Sequence, residues 1–168
     1  MTTRNDLSTH DVGPSIDSTS ELAEPYLVYR LRDGLYASLL LEVREVVEYK
    51  TPKPIPNTKS SFLGVINIRG DIVGLVDLSA HLGGPPAGNG RPTLLVVNSA
   101  GGTLAAVVDE VVSVVHIAPG AVDAASRETS PDRPLRGVAR LEGSLVTLLD
   151  LARIMEDGDL AMFTRRAA

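Results

Sequence analysis

The chain has 168 residues, 43% of them hydrophobic, with 21 acidic against 16 basic residues and a formal net charge of −5 at pH 7. That length suits one compact domain or two small fused ones, and the acidic balance speaks against a nucleic-acid surface, which needs basic residues to neutralise phosphates. Cysteine is absent, which excludes disulfides, thiolate nucleophiles and cysteine metal sites. Residues 1–24, rich in Ser, Thr and Asp, are expected to be a disordered tail, because they offer too little apolar surface to offset the entropy of ordering. That tail lacks the apolar stretch of a secretory signal, and no run of about 18 apolar residues follows to span a membrane. A soluble cytoplasmic protein is the expectation.

From Tyr26 the texture changes. YLVYRL, LYASLLLEV and REVVEYK read as strands, the first two separated by the turn signal Arg32-Asp33-Gly34. TPKPIPNTKSS, residues 51–61, is a Pro-rich loop that excludes regular helix or a central strand. FLGVINI and DIVGLVDL are strands joined by a hairpin turn at Arg69-Gly70-Asp71. SAHL fits one short helical turn, and GGPPAGNGRP, residues 83–92, is a loop. TLLVVNS, TLAAVVDE and VVSVVHI resume the strand pattern. Residues 118–136 are a second long loop, GVARLEG and SLVTLLDL are closing strands, and ARIMEDGDLAMF reads as helix.

The pattern is written twice. Gly64–Leu82 is GVINIRGDIVGLVDLSAHL, and Gly137–Met155 is GVARLEGSLVTLLDLARIM. A shift of 73 aligns Gly64 with Gly137, Gly70 with Gly143, Val73 with Val146, Leu75 with Leu148 and Asp77 with Asp150. A shift of 68 aligns an earlier block, Gly34 with Gly102, Glu42 with Glu110 and Val43 with Val111. The first copy then spans roughly residues 35–85 and the second roughly 103–155. Each copy alone would have a marginal core, so the two are expected to pack together with a cleft between them.

Asp77 and Asp150, one from each copy, invite comparison with the paired carboxylates of a pseudo-twofold aspartic hydrolase. Both precede Leu, not the Thr-Gly or Ser-Gly such a dyad needs, so each is read instead as a cap on the short helix that follows. Gly70 and Gly143 are read as the matching structural turn residues. His10, His81 and His116 show no HxxxH or HxH spacing, and no metal site is expected. GxSxG, GxGxxG and GxxxxGK[ST] are absent, so neither a catalytic set nor a cofactor is expected. Arg69, at the hairpin turn, is either a solvated turn charge or the partner of a carboxylate such as Glu45 beside a binding surface. The second copy carries Glu142 and Ser113 at these two positions, which suggests different tasks for the two copies.

FLGVINIRGDIVGLVDLSAHLG, with Val43-Arg44-Glu45-Val46 upstream, resembles the signature of CheW-type chemotaxis coupling proteins. Asn67, Arg69, Gly70, Asp77 and Leu78 carry the match over about residues 25–155, and Gly74 stands where the family often has Pro. The resemblance implies an all-β fold of two intertwined five-stranded SH3-like barrels related by internal duplication, with short helical turns and a C-terminal helix or tail over residues 156–168. It implies a non-enzymatic adaptor, cytoplasmic and recruited to receptor arrays at the inner membrane. Its partners would be the cytoplasmic tip of methyl-accepting chemoreceptors and the regulatory domain of a histidine autokinase, with no nucleic acid, no membrane insertion and no cofactor. Val43, Glu45 and Arg69 match positions associated with receptor binding. The alternative reading is a β-barrel interaction module of another signalling pathway.

Overall fold

Alternating apolar residues bounded by glycine turns build eleven strands in the computed structural model, which describes residues 22–88, 90–123 and 134–156. In chain order these are β1 (Glu24–Leu31), β2 (Gly34–Leu39), β3 (Glu45–Glu48), β4 (Phe62–Ile68), β5 (Asp71–Asp77), β6 (Thr93–Ser99), β7 (Gly102–Val108), β8 (Glu110–Ile117), β9 (Val122–Asp123), β10 (Leu135–Leu141) and β11 (Ser144–Leu149). Two short helices, α1 (Leu78–His81) and α2 (Leu151–Met155), follow β5 and β11. The expected tail falls almost wholly outside the described residues, as do residues 157–163 of the expected C-terminal helix.

The strands form two sheets, of six in the order β8-β1-β2-β11-β10-β9 and of five in the order β3-β6-β7-β5-β4. Each sheet mixes the two copies. The β1–β2 hairpin of the first half pairs with β8 and with β11, while β6–β7 of the second half pairs with β3 and β5. The registers obey the sequence offsets. Gly74 pairs in parallel with Leu104, and Thr147 with Tyr36; Glu45 sits opposite Val96, and Ser113 opposite Val28. The equivalence also takes in β1 and β6, where Tyr26 faces Leu39 as Leu94 faces Val107. The all-β expectation therefore holds, as two sheets that have exchanged strands.

Three apolar clusters fill the structure. Val73, Leu75, Leu94, Val96 and Ala105 line the interior of the five-stranded sheet. Their equivalents Val146, Leu148, Tyr26, Val28 and Ala37 line the six-stranded one. A third cluster lies where the halves meet and takes Tyr29, Phe62, Leu104, Leu151, Ile154 and Met155. Leu75, Leu104, Leu148 and Leu151 are fully buried, each contributing about 1.5–3 kcal/mol by leaving water. Inside this packing the Tyr29 hydroxyl and Ser38 satisfy one another at 2.9 Å, and burial holds the phenol neutral by pushing its pKa up. Gly74 gives Phe62 its space: a Cβ there would lie 2.8 Å from Leu104 and 2.9 Å from Phe62.

Two segments differ from the sequence reading. LYASLLLEV breaks at Leu39, and Leu40–Glu42 form a 3-10 turn, because the chain must leave one sheet and enter the other between β2 and β3. Within the second long loop, Pro119–Ala121 form a 3-10 turn, β9 adds a short rung beside β10, and Leu135 and Arg136 already belong to β10.

The aspartates end their strands as capping residues. Asp77 accepts from the Ala80 N–H at 3.1 Å and from the Ala87 N–H at 2.8 Å. Asp150 accepts from the Arg153 N–H at 2.9 Å. Asp77 is buried and also holds the loop that joins the two halves. An Asp77→Ala variant is therefore expected to lose about 1–3 kcal/mol, more than a bare cap, because it orphans a second N–H. Chemical denaturation of Asp77→Ala beside Asp150→Ala checks the ranking.

Candidate interaction surface

The hairpin between β4 and β5 turns on a left-handed residue pair, Arg69 at φ 51° and Gly70 at φ 92°. Asn67 closes the turn by accepting the Gly70 N–H at 2.9 Å. Two consecutive residues at positive φ suit the twist of a tight hairpin, but arginine is an uncommon occupant of that conformation. Its side chain leaves the turn and meets Glu45 on β3, Nη2 to Oε2 at 2.8 Å. Arg69 is 76% exposed and Glu45 only 17%, so the half-buried carboxylate anchors an exposed guanidinium that still presents donors to solvent. Tip and edge strand are thereby joined.

Beside this pair, β3 is the free edge of its sheet. Val46 and Tyr49 are exposed there, and with Val47, Glu48, Arg91 and Pro92 they line an open groove of about 600 Å³. Ile72, just past the hairpin turn, adds a further exposed aliphatic residue. Val43 is placed differently: it is half-buried against the central cluster. The structure thus brings Glu45 and Arg69 together and leaves Val43 packed against the central cluster.

The second half repeats the frame with other chemistry. Glu142 at φ 48° and Gly143 at φ 82° form the equivalent turn, and Val114 and Leu145 are exposed where Val46 and Ile72 are. A second depression of about 680 Å³ lies between the six-stranded sheet and α1, lined by Tyr36, His81, Leu82, Leu135, Thr147 and Leu149.

A partly buried charge cluster was not legible in the sequence. Glu42, in the 3-10 turn before β3, lies 2.5 Å from Arg136 on β10 and accepts the Leu151 N–H at 2.9 Å. Arg136 also reaches Asp150 at 3.1 Å. Burial pulls the Arg136 guanidinium down, but the Glu42 and Asp150 carboxylates outweigh it and hold the group charged. Nor was Asp109, which accepts from the Gly88 N–H at 2.7 Å and from the Arg32 N–H, and so holds the inter-half loop from the other side. Asp77 and Asp150 each spend their oxygens on local backbone donors or on Arg136, which is not the arrangement of a shared-proton dyad. Among the described residues no group of three or more His, Asp or Glu is placed to hold a metal.

A duplicated, strand-exchanged pair of small sheets is a two-unit SH3-like β fold. The chain belongs to the CheW-like domain family, whose model matches residues 25–159. Among curated relatives, a probable chemotaxis protein CheW of Rhizobium etli is 22% identical over 147 residues, covering 85% of this chain and 94% of the relative. The chemotaxis protein CheW of Rhizobium meliloti is 27% identical over 128 residues, covering 74% and 83%. In solved structures, the scaffolding protein TtCheW of Thermoanaerobacter tengcongensis shares the fold with a TM-score of 0.70 at 24% identity, over 82% of this chain and 90% of that one. No helix among the described residues is long and apolar enough to cross a membrane.

Proposed function

We propose that this chain is a non-enzymatic adaptor that couples the cytoplasmic tip of a methyl-accepting chemoreceptor to the regulatory domain of a histidine autokinase. It works in the cytoplasm and is recruited to receptor arrays at the inner membrane. The observation that carries the reading is the Arg69–Glu45 pair at the start of β3, whose following residues Val46–Tyr49 line the open groove, in a chain of the CheW-like family. Val43, Glu45 and Arg69 form the receptor-binding set, with Val43 packed against the central cluster.

Physically, the groove suits an amphipathic helix, whose apolar face would cover Val46 and Tyr49 while its polar rim meets Arg69. Individual contacts of this size are weak. An array makes them effective, because neighbouring receptors raise the local concentration of each partner. The duplicated fold gives such an adaptor a second, chemically distinct face on the other sheet, where glutamate replaces arginine at the turn.

Analytical ultracentrifugation of the full chain with a receptor cytoplasmic fragment and a kinase regulatory domain tests this directly. One ternary species is expected. Binary complexes that exclude each other would contradict it.

A further inference from the structure

Besides the Arg69–Glu45 pair, the described residues of this pseudo-twofold fold contain a second interaction that is not repeated. Under the sequence offsets Glu42 corresponds to Glu110, Arg136 to Leu63 and Asp150 to Asp77. In that mirrored place Glu110 faces Arg30 at 3.5 Å, and Asp77 binds backbone N–H groups only. The three-way contact of Glu42, Arg136 and Asp150 exists once, and it crosses from the first half to the second.

Its position is specific. Glu42 lies three residues before Glu45 on the same short segment, with its side chain only 8% exposed. Its two oxygens hold different parts of the second half: Oε1 holds Arg136 on β10, and Oε2 accepts the first backbone N–H of α2. Asp150 caps that helix and shares the same arginine. The helix packs against β6, and β6 pairs with β3. A closed loop of contacts therefore runs from β3 through Glu42 to α2, and back through β6 to β3.

We propose that Glu42, Arg136 and Asp150 form a one-sided latch through which occupation of the β3 surface is felt at α2. The proposal rests on the reading of β3 as the receptor-binding strand. Ligand that orders Glu45 and Arg69 also orders the segment carrying Glu42. Both acceptors of that carboxylate then bind more persistently, and the start of α2 frays less. Glu42 and Arg136 are positioning residues, since neither belongs to the groove itself. The one-sidedness gives the signal a direction that a symmetric duplicate would lack.

The test is hydrogen–deuterium exchange on the full chain, with and without a chemoreceptor cytoplasmic-tip fragment. In the wild type, fragment binding should slow exchange over Leu151–Met155 by about fivefold or more, the size of a typical coupling between sites. Arg136→Leu installs the residue that the first half carries at the equivalent position. It should bind the fragment with near wild-type affinity and show no such slowing. Without fragment, Arg136→Leu should exchange faster over both Leu151–Met155 and Glu45–Glu48. Undiminished slowing in the variant, or faster exchange confined to Leu151–Met155, overturns the latch. A wild type that does not bind the fragment overturns the adaptor reading instead, and the free-chain comparison then decides the latch alone. Should Arg136→Leu fail to fold, Glu42→Gln, which keeps an acceptor and removes the charge, carries the same readouts.

Discussion

An Arg69→Asn variant is expected to melt at or slightly above the wild-type temperature and to lose most of its affinity for a receptor fragment. Asparagine tolerates the left-handed conformation that Arg69 adopts at φ 51°, so the turn itself relaxes. The ion pair to Glu45 disappears, but with the guanidinium 76% exposed it contributes only about 0–1 kcal/mol to stability. Binding responds differently. A truncated charged anchor in a desolvated contact costs about 2 kcal/mol or more, roughly thirtyfold in affinity. Calorimetric titration beside a thermal melt separates the two effects. A variant that melts lower and binds normally would make Arg69 a structural turn residue only.

The largest loss of stability is expected at Gly64. Its φ is 132°, a conformation that side chains avoid, and an added Cβ would sit 2.2 Å from the Lys53 carbonyl oxygen. That carbonyl cannot retreat cheaply, because it accepts the Val65 N–H at 2.9 Å while Lys53 N–H returns a bond to Val65 at 2.8 Å. Gly64→Ala must therefore strain the backbone and break this rung, at about 3 kcal/mol or more. The equivalent Gly137, at φ 150°, would meet Val122 Cγ1 at 2.5 Å, and a side chain yields more easily than a backbone. Gly137→Ala should cost less. Urea unfolding of both variants checks the order, and equal losses would contradict the explanation.

The residues that repeat were legible because each has a backbone reason to be what it is. Gly64 and Gly137 fit where strands are crossed closely, Gly70 and Gly143 where the hairpins turn, and Asp77 and Asp150 where helices start. Glu45 and Arg69 stood out because the second copy lacks them. The strand exchange was not visible in the periodicity. Alternation tells which side chains turn inward but not which sheet a strand joins, so β2 and β5 read alike although they belong to different sheets. The break at Leu40–Glu42 was hidden for the same reason, inside an unbroken apolar run. Glu42 and Arg136 lie 94 positions apart, and only the folded chain brings them together. Val43 matched the motif alongside Glu45, and its half-burial against the central cluster was not legible from the motif.

Receptor control of kinase autophosphorylation is the most direct measure of the adaptor function. Purified chain, a membrane-embedded or arrayed chemoreceptor and its cognate histidine kinase are combined, and phosphate incorporation is followed with and without attractant. Kinase activity is expected to rise and become attractant-sensitive only when the wild-type chain is present, and Arg69→Asn is expected to restore neither. Equal kinase activity and attractant response without the chain would contradict it.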